Sequence, residues 1–300
     1  MSISEHEFGG KSTDLKLAVV EGYLKAFATA LSKIFQNIWY IDAFAGTGER
    51  TEFFNAQEGN LFDPATPERV ERHRGSAKIA IDVKPNFKKL IFIEKDPKHC
   101  AALRLLRDEH PNRDIEIKNG TADNEIRALL TNRSWTSTRA VIFLDSYGMQ
   151  VSWETLEQIQ KTHAVDVWYL VSLSGLFRQA ALNAKSLDKS KREAITRMVG
   201  TDRWEAEWYQ KTSNKDLFGD IDENNLRTVD AKAIEDFFGR RLAELFPKVL
   251  KPLPLKNSRG VQIFSLFFAI SNPDPKAIGL ATKIANHMLK AGSSSQVLPR

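Results

Sequence analysis

The chain has 300 residues, 42% hydrophobic and 27% charged, with 16 Gly and 11 Pro. That composition excludes a wholly disordered, collagenous or low-complexity chain and supplies apolar material for a large core. The net charge is only +5, but residues 1–150 are balanced and the whole excess lies in residues 151–300, which excludes a uniformly basic protein and points to a local basic surface.

In chain order, residues 14–35 place Leu17, Val20, Leu24, Phe27, Leu31 and Ile34 at helical spacing, with Ser12 or Asp14 as the N-cap. An apolar, β-rich run at 38–41 follows and ends at Asp42 and a glycine-containing turn. The pattern recurs at 90–93 before Glu94, at 115–117 before Asn119, at 140–144 before Asp145 and at 165–171 before Ser172. Helical patterns at 76–83, 98–109, 125–130 and 153–161 lie between these runs. Short apolar strands alternating with helices predict an α/β protein whose parallel strands are covered on both faces and whose ligands bind at the strands' carboxyl ends. Toward the end come a helix over 230–246, an antiparallel hairpin turning at 257–260, a helix over 274–289 and a loose tail at 290–300.

Two stretches interrupt the alternation. Residues 49–74 form a polar, Pro-containing insertion, a candidate lid or substrate loop, and residues 175–225 form an insertion of mainly short helices carrying Trp204, Trp208 and Tyr209. With no internal repeat and no linker, residues 1–300 are read as a single elaborated domain. No apolar run reaches the roughly 18 residues of a membrane helix. Residues 1–10 show no signal segment, so the expected compartment is the cytoplasm. A lone Cys100 and six scattered His argue against a resident metal cluster.

The chemistry-bearing residues fall at strand ends. Gly46 and Gly48 after Asp42 let a turn approach a ligand closely, or simply make a tight structural turn. Thr51 fills the last position of the dinucleotide glycine fingerprint and no G-K-[ST] follows, which disfavours a nicotinamide-dependent oxidoreductase and a P-loop. Glu94 is placed to accept ribose hydroxyls, although the 49–74 insertion stretches its distance from the glycines. Asp123 and Asn124 either reach an adenine edge or, for Asp123, N-cap the next helix. Asp145 with Tyr147 sets an acceptor carboxylate beside an aromatic platform. The basic stretch 178–197, with Arg178, Lys185, Lys189, Lys191, Arg192 and Arg197, is either a phosphate-contacting surface or a solvated helix face, and Trp204 and Trp208 are either base-stacking rings or core anchors.

Asp42-Ala-Phe-Ala-Gly-Thr-Gly48, an acid closing the second parallel strand, and an acid with an aromatic closing the fourth together resemble the Rossmann-like S-adenosylmethionine-dependent methyltransferases. A closer resemblance, to the three-Cys-motif partner protein family (TcmP), rests on Tyr40-Ile-Asp-Ala-Phe-Ala-Gly-Thr-Gly48, Gly75-Ser-Ala77, Phe92-Ile-Glu-Lys-Asp96, Phe143-Leu-Asp-Ser-Tyr-Gly-Met-Gln150 with Trp153, and Ser172-Leu-Ser-Gly-Leu176. The chain departs from it at Ser146, where a proline is expected, and at Thr121, where an acid is expected. The resemblance implies a mostly parallel seven-stranded sheet with a terminal antiparallel strand. It also implies S-adenosylmethionine as cofactor, held by Asp42, Phe44, Gly46, Gly48, Glu94 and Asp123 or Asn124, with Asp145 and Tyr147 at the acceptor.

The expected activity is N- or O-methyl transfer, with nucleic acid or a modified nucleoside as a candidate acceptor through 178–197. The alternative is a non-catalytic or conditionally active partner of a neighbour-encoded, radical S-adenosylmethionine-like protein with three cysteines.

Overall fold

A computed structural model describes residues 11–54, 69–131, 133–146, 148–215 and 221–295. Its centre is a sheet whose strands are β1 (Asn37–Asp42), β4 (Lys89–Glu94), β5 (Ile115–Asn119), β6 (Thr138–Leu144), β7 (Val165–Ser172), β10 (Lys248–Val249), β11 (Leu253–Lys256) and β12 (Gln262–Ile270). The order across it is β10-β12-β7-β6-β1-β4-β5, with β11 also on β12. β1, β4, β5, β6 and β7 are parallel; β12 runs antiparallel to β7, and β10 and β11 run antiparallel to β12. β10 and β11 are successive pieces of one edge strand, so eight short strands occupy the seven expected positions. This is the Rossmann-like arrangement expected, a mostly parallel sheet ending in antiparallel strands.

Side chains alternate across the sheet because strand period is two. Trp39, Ile41, Ile91, Ile93, Ile142, Tyr169 and Val171 enter one core. Ile38, Tyr40, Leu90, Phe92, Val141, Phe143, Trp168 and Leu170 enter the other. α1 (Lys11–Leu31), α2 (Ser76–Asp82), α3 (Pro97–Asp108) and α10 (Pro275–Ser295) cover the second face. The first is covered by α4 (Ala122–Leu130), α5 (Trp153–Lys161), α6 (Leu173–Gln179), α7 (Lys189–Val199), α8 (Arg203–Trp208) and α9 (Ala231–Leu245). No helix among the described residues is long and apolar enough to cross a membrane.

Four local expectations change. Ser12 and Asp14 lie inside α1 rather than capping it, because Lys11 is already helical. The tail is helical to Ser295; a Cβ on Gly292 would come within 2.8 Å of Val19, so this glycine lets α10 continue in close contact with α1. Residues 296–300 lie outside the described residues.

Within 49–74, β2 (Glu49–Phe54) and β3 (Arg69–Arg74) pair as an antiparallel ribbon, closed at its base by Gly75 N–H donating to the Gly48 carbonyl at 3.0 Å. The stretch 55–68 lies outside the described residues. In the second insertion, β8 (Tyr209–Lys215) and β9 (Ile221–Arg227) form another ribbon where mainly short helices were expected. Trp204 and Trp208 are fully buried, their rings tilted against one another with centroids 5.3 Å apart, and Phe237 of α9 lies edge-on to Trp208 at 5.4 Å. They are core anchors, and their rings are not available to stack on bases.

Candidate functional site

β1 is flanked by β4 on one side and β6 on the other, so the strand order reverses between β1 and β6. In open α/β sheets the ligand crevice lies at the carboxyl ends on that line. Asp42 closes β1, beside Phe143 of β6 in the register, and Asp145 follows β6 directly.

Asp42 is fully buried. Its carboxylate accepts hydrogen bonds from Phe44 N–H and Tyr40 Oη–H, each at 3.2 Å, and from the Ser76 hydroxyl. Burial raises its pKa to about 6 against those stabilising bonds, and the negative charge of Asp145 adds to the rise. The unfolded chain ionises this carboxyl near 3.8, while the folded chain holds its proton to about 6. Between those values the unfolded state binds fewer protons, so this group's contribution to stability is complete below about pH 4 and lost as pH rises through about 6. The loss is on the order of 3 kcal/mol. Urea unfolding of Asp42→Asn beside the unsubstituted chain should show the variant gaining relative stability between pH 4.5 and 7; a pH-independent difference would refute it.

Gly46 and Gly48 both adopt positive φ, +58° and +81°. They differ in what surrounds them. A Cβ on Gly48 would sit 2.7 Å from Leu106 of α3, so this glycine lets the turn pack on the helix, whereas the Cβ position of Gly46 meets nothing within 4 Å and faces open space. Gly46 N–H donates to Glu94 Oε2 at 3.0 Å, and Asp96 N–H donates to Oε1 at 2.9 Å. Glu94 thus ties the turn after β1 to the turn after β4. Its side chain is only 11% exposed, and each oxygen keeps a lone pair for a further donor. Phe44 is half-buried against the core in the same turn.

On the other side of the reversal, Asp145 meets Lys16 of α1, whose Nζ lies 2.6 Å from Oδ2. Lys16 is nearly buried at 8% exposure. Sequence reasoning missed it, since 129 positions separate the partners and Lys16 reads as one polar residue on an amphipathic helix. Ser146 is buried, and its hydroxyl donates to the Gly148 carbonyl at 3.2 Å. A side-chain bond therefore closes the turn where a proline would have stiffened it. Tyr147 lies outside the described residues.

The third strand end is organised differently. Thr121, not Asp123, caps α4 by accepting from Asn124 N–H. Asp123 Oδ1 accepts from Ser152 N–H at 3.0 Å and from the Thr155 hydroxyl at 2.7 Å, while Oδ2 faces Arg197 at 3.5 Å. Arg197 also donates to the Met149 carbonyl at 2.7 Å. Asp123 therefore knits α4, α5 and α7 together, and the exposed Asn124, whose Oδ1 accepts from Arg127, stands beside it. A polar cleft of about 400 Å³ adjoins this network, lined among others by Asp123, Arg127, Glu157 and Arg197.

Of the basic stretch, Arg178, Lys185, Lys189 and Arg197 are exposed. Arg192 is held by Glu205 and the Leu187 carbonyl. Cys100 is buried, its thiol donates to the Glu94 carbonyl, and burial raises its pKa. These are properties of a structural thiol rather than a nucleophile.

No family model matches the sequence, and no curated protein matches it. Among solved structures, protein LPL1258 from Legionella pneumophila is similar at 12% identity, covering 95% of this chain and 94% of its own, with a TM-score of 0.49. An S-adenosylmethionine-dependent methyltransferase from Clostridium acetobutylicum is similar at 10% identity over 84% of this chain and 92% of its own, with a TM-score of 0.36. Spermidine synthase from Thermotoga maritima is similar at 12% identity over 95% and 75%, with a TM-score of 0.39. At these identities and scores none of them bears on what this chain does.

Proposed function

We propose that this chain is an S-adenosylmethionine-dependent methyltransferase acting on a nitrogen or oxygen of nucleic acid or a modified nucleoside. The observation that supports it most is the open glycine turn tied to Glu94, set at the same sheet edge as Asp42 and Asp145 on either side of the strand-order reversal. The space at Gly46 and the spare acceptor capacity of Glu94 suit a nucleoside bearing a ribose and a flexible charged tail. When bound, S-adenosylmethionine supplies an electrophilic methyl group on a sulfonium that leaves as a neutral thioether.

The chain's own task is to bind, align and exclude water. Glu94 accepts the ribose hydroxyls, Gly46 and Gly48 let the backbone approach, and Asp42 fixes the turn through Phe44 N–H. Lys16 holds Asp145 in place through Oδ2, leaving Oδ1 to orient the acceptor's N–H or O–H. Tyr147 stacks on the acceptor, and Asn124 is the more accessible of the two candidates for the adenine edge. Exposed Arg178, Lys185 and Lys189 are where phosphates would be met.

A second reading keeps the fold without free-standing activity. It is favoured by the same Lys16 ion pair, which engages one oxygen of the acceptor carboxylate. It also follows the motif resemblance to three-Cys-motif partner proteins, which adds a neighbour-encoded, cysteine-bearing partner. Calorimetric titration of ligand-stripped protein with S-adenosylhomocysteine separates the two. Micromolar binding by the chain alone supports the enzyme, with Asp145→Ala expected to keep that affinity while losing methyl transfer to an oligonucleotide. Binding that requires the partner, or no binding by a chain that co-purifies with the partner, supports the second reading; no binding and no association with the partner defeats both.

A further inference from the structure

Helix α1 serves two ends of the sheet. Near its start Lys16 reaches the candidate site; two turns later, on the same face, Tyr23 reaches Asp166, the second residue of β7, at the strands' opposite end. Toward the C-terminus of α10, Gly22 and Gly292 bring the two helices close, with Cβ positions that would meet Met288 and Val19. Nearer the start of α10 that close packing gives way to a cavity of about 80 Å³, lined by Phe27, Leu31, Ala281 and Ile284, with Tyr23, Arg139 and Asp166 among its polar groups. One water needs roughly 10–15 Å³ of such space, and apolar walls give a chain of waters few partners. The volume and lining suit an organic group better than solvent.

The polar end is unevenly satisfied. Asp166 Oδ2 accepts from the Tyr23 hydroxyl at 3.3 Å, a long bond, and Ser271 contributes a backbone donor. Arg139, the cation on this side, lies 4.2 Å over the Phe35 ring and donates to the Trp135 and Thr138 carbonyls at 3.1 and 2.8 Å. Its hydrogen bonds thus go to backbone oxygens, and its charge acts on Asp166 only from a distance. Burial accordingly holds the Asp166 carboxyl up at about 7, as expected of an acid without a contacting cation.

We propose that this cavity is a binding site for a small apolar molecule bearing a protonated amine, its ammonium on Asp166 and its body against Phe27, Leu31 and Ile284. The ammonium would supply the charged donor that Asp166 lacks. The body would fill space the two helices leave open. This site is separate from the proposed cofactor site, and its occupancy does not depend on Asp42 or Glu94.

The full-length protein would be titrated calorimetrically, near pH 8, with 2-phenylethylamine and with its neutral counterpart 2-phenylethanol. The amine is expected to bind at least roughly tenfold more tightly than the alcohol, and to perturb the fluorescence of Trp168, which lies edge-on to Tyr23 at 5.3 Å. Asp166→Asn should erase the difference between the two compounds, and Ala281→Phe, which fills the cavity from α10, should abolish binding of both. Near-UV circular dichroism checks that each variant is folded; should one fail, the amine–alcohol comparison on the unsubstituted chain still decides. Equal affinities for the two compounds, no binding of either, or full amine affinity in folded Asp166→Asn would each overturn the proposal.

Discussion

Glu94→Ala should bind S-adenosylhomocysteine at least about 100-fold more weakly than the unsubstituted chain in a calorimetric titration. Hydrogen bonds to a charged acceptor are worth about 1.5–3 kcal/mol each, and a ribose offers two donors. At about 1.4 kcal/mol per decade, losing both costs upward of a hundredfold. The structure adds a second cost, because Glu94 is also the acceptor for Gly46 and Asp96 N–H, so its removal frees the two turns that shape the crevice. Glu94→Gln keeps one oxygen of the pair and should fall between. An Ala variant within threefold of the unsubstituted chain would remove the ribose contact from the proposed function.

The largest stability effect is expected at Gly200, which ends α7 in the left-handed region with φ +71°. A Cβ there would stand 2.1 Å from the indole of Trp153, which is itself wedged beneath the Arg241 guanidinium at 4.6 Å. Strain from the positive φ and overpacking together should cost about 3 kcal/mol in Gly200→Ala. Gly239 is the matched control, since its Cβ would meet Phe267 at an ordinary 3.4 Å inside α9, where Gly→Ala should gain about 0.5–1 kcal/mol. Thermal melts of the two variants should therefore move in opposite directions. A Gly200→Ala midpoint equal to that of the unsubstituted chain would show that the α7–α5 junction is looser than its geometry implies.

These sites differ in how readable they are from residues alone. Asp42, Glu94 and Asp145 stand out because each ends a run of apolar residues buried on both faces, and a buried parallel strand has few ways to finish except at a polar, ligand-facing turn. The direction of β12 was readable from the polar turn at Asn257 and Gly260, whose N–H closes on the Asn257 carbonyl at 3.0 Å. Lys16 was not, because its meaning lies in a helix crossing the sheet, and no local pattern encodes that crossing. Asp123 was ambiguous for a related reason: its partners Ser152, Thr155 and Arg197 come from two other helices. The β8–β9 ribbon was hidden by polar residues such as Gln210, Asn214 and Asn225, which carry no apolar alternation to mark a strand.

The ends of the main sheet bear on how copies of this chain meet one another. An open sheet exposes unpaired backbone groups on its two outer strands, and these invite pairing with a second molecule. At one border the outer strand is interrupted between β10 and β11, and Pro252 and Pro254 have no N–H to offer an incoming strand. At the other, β5 carries Glu116 and Lys118 in an ion-pair cluster with Lys89, so an arriving apolar strand would have to strip water from three charges. Both borders of the main sheet therefore resist the addition of a strand from a second copy.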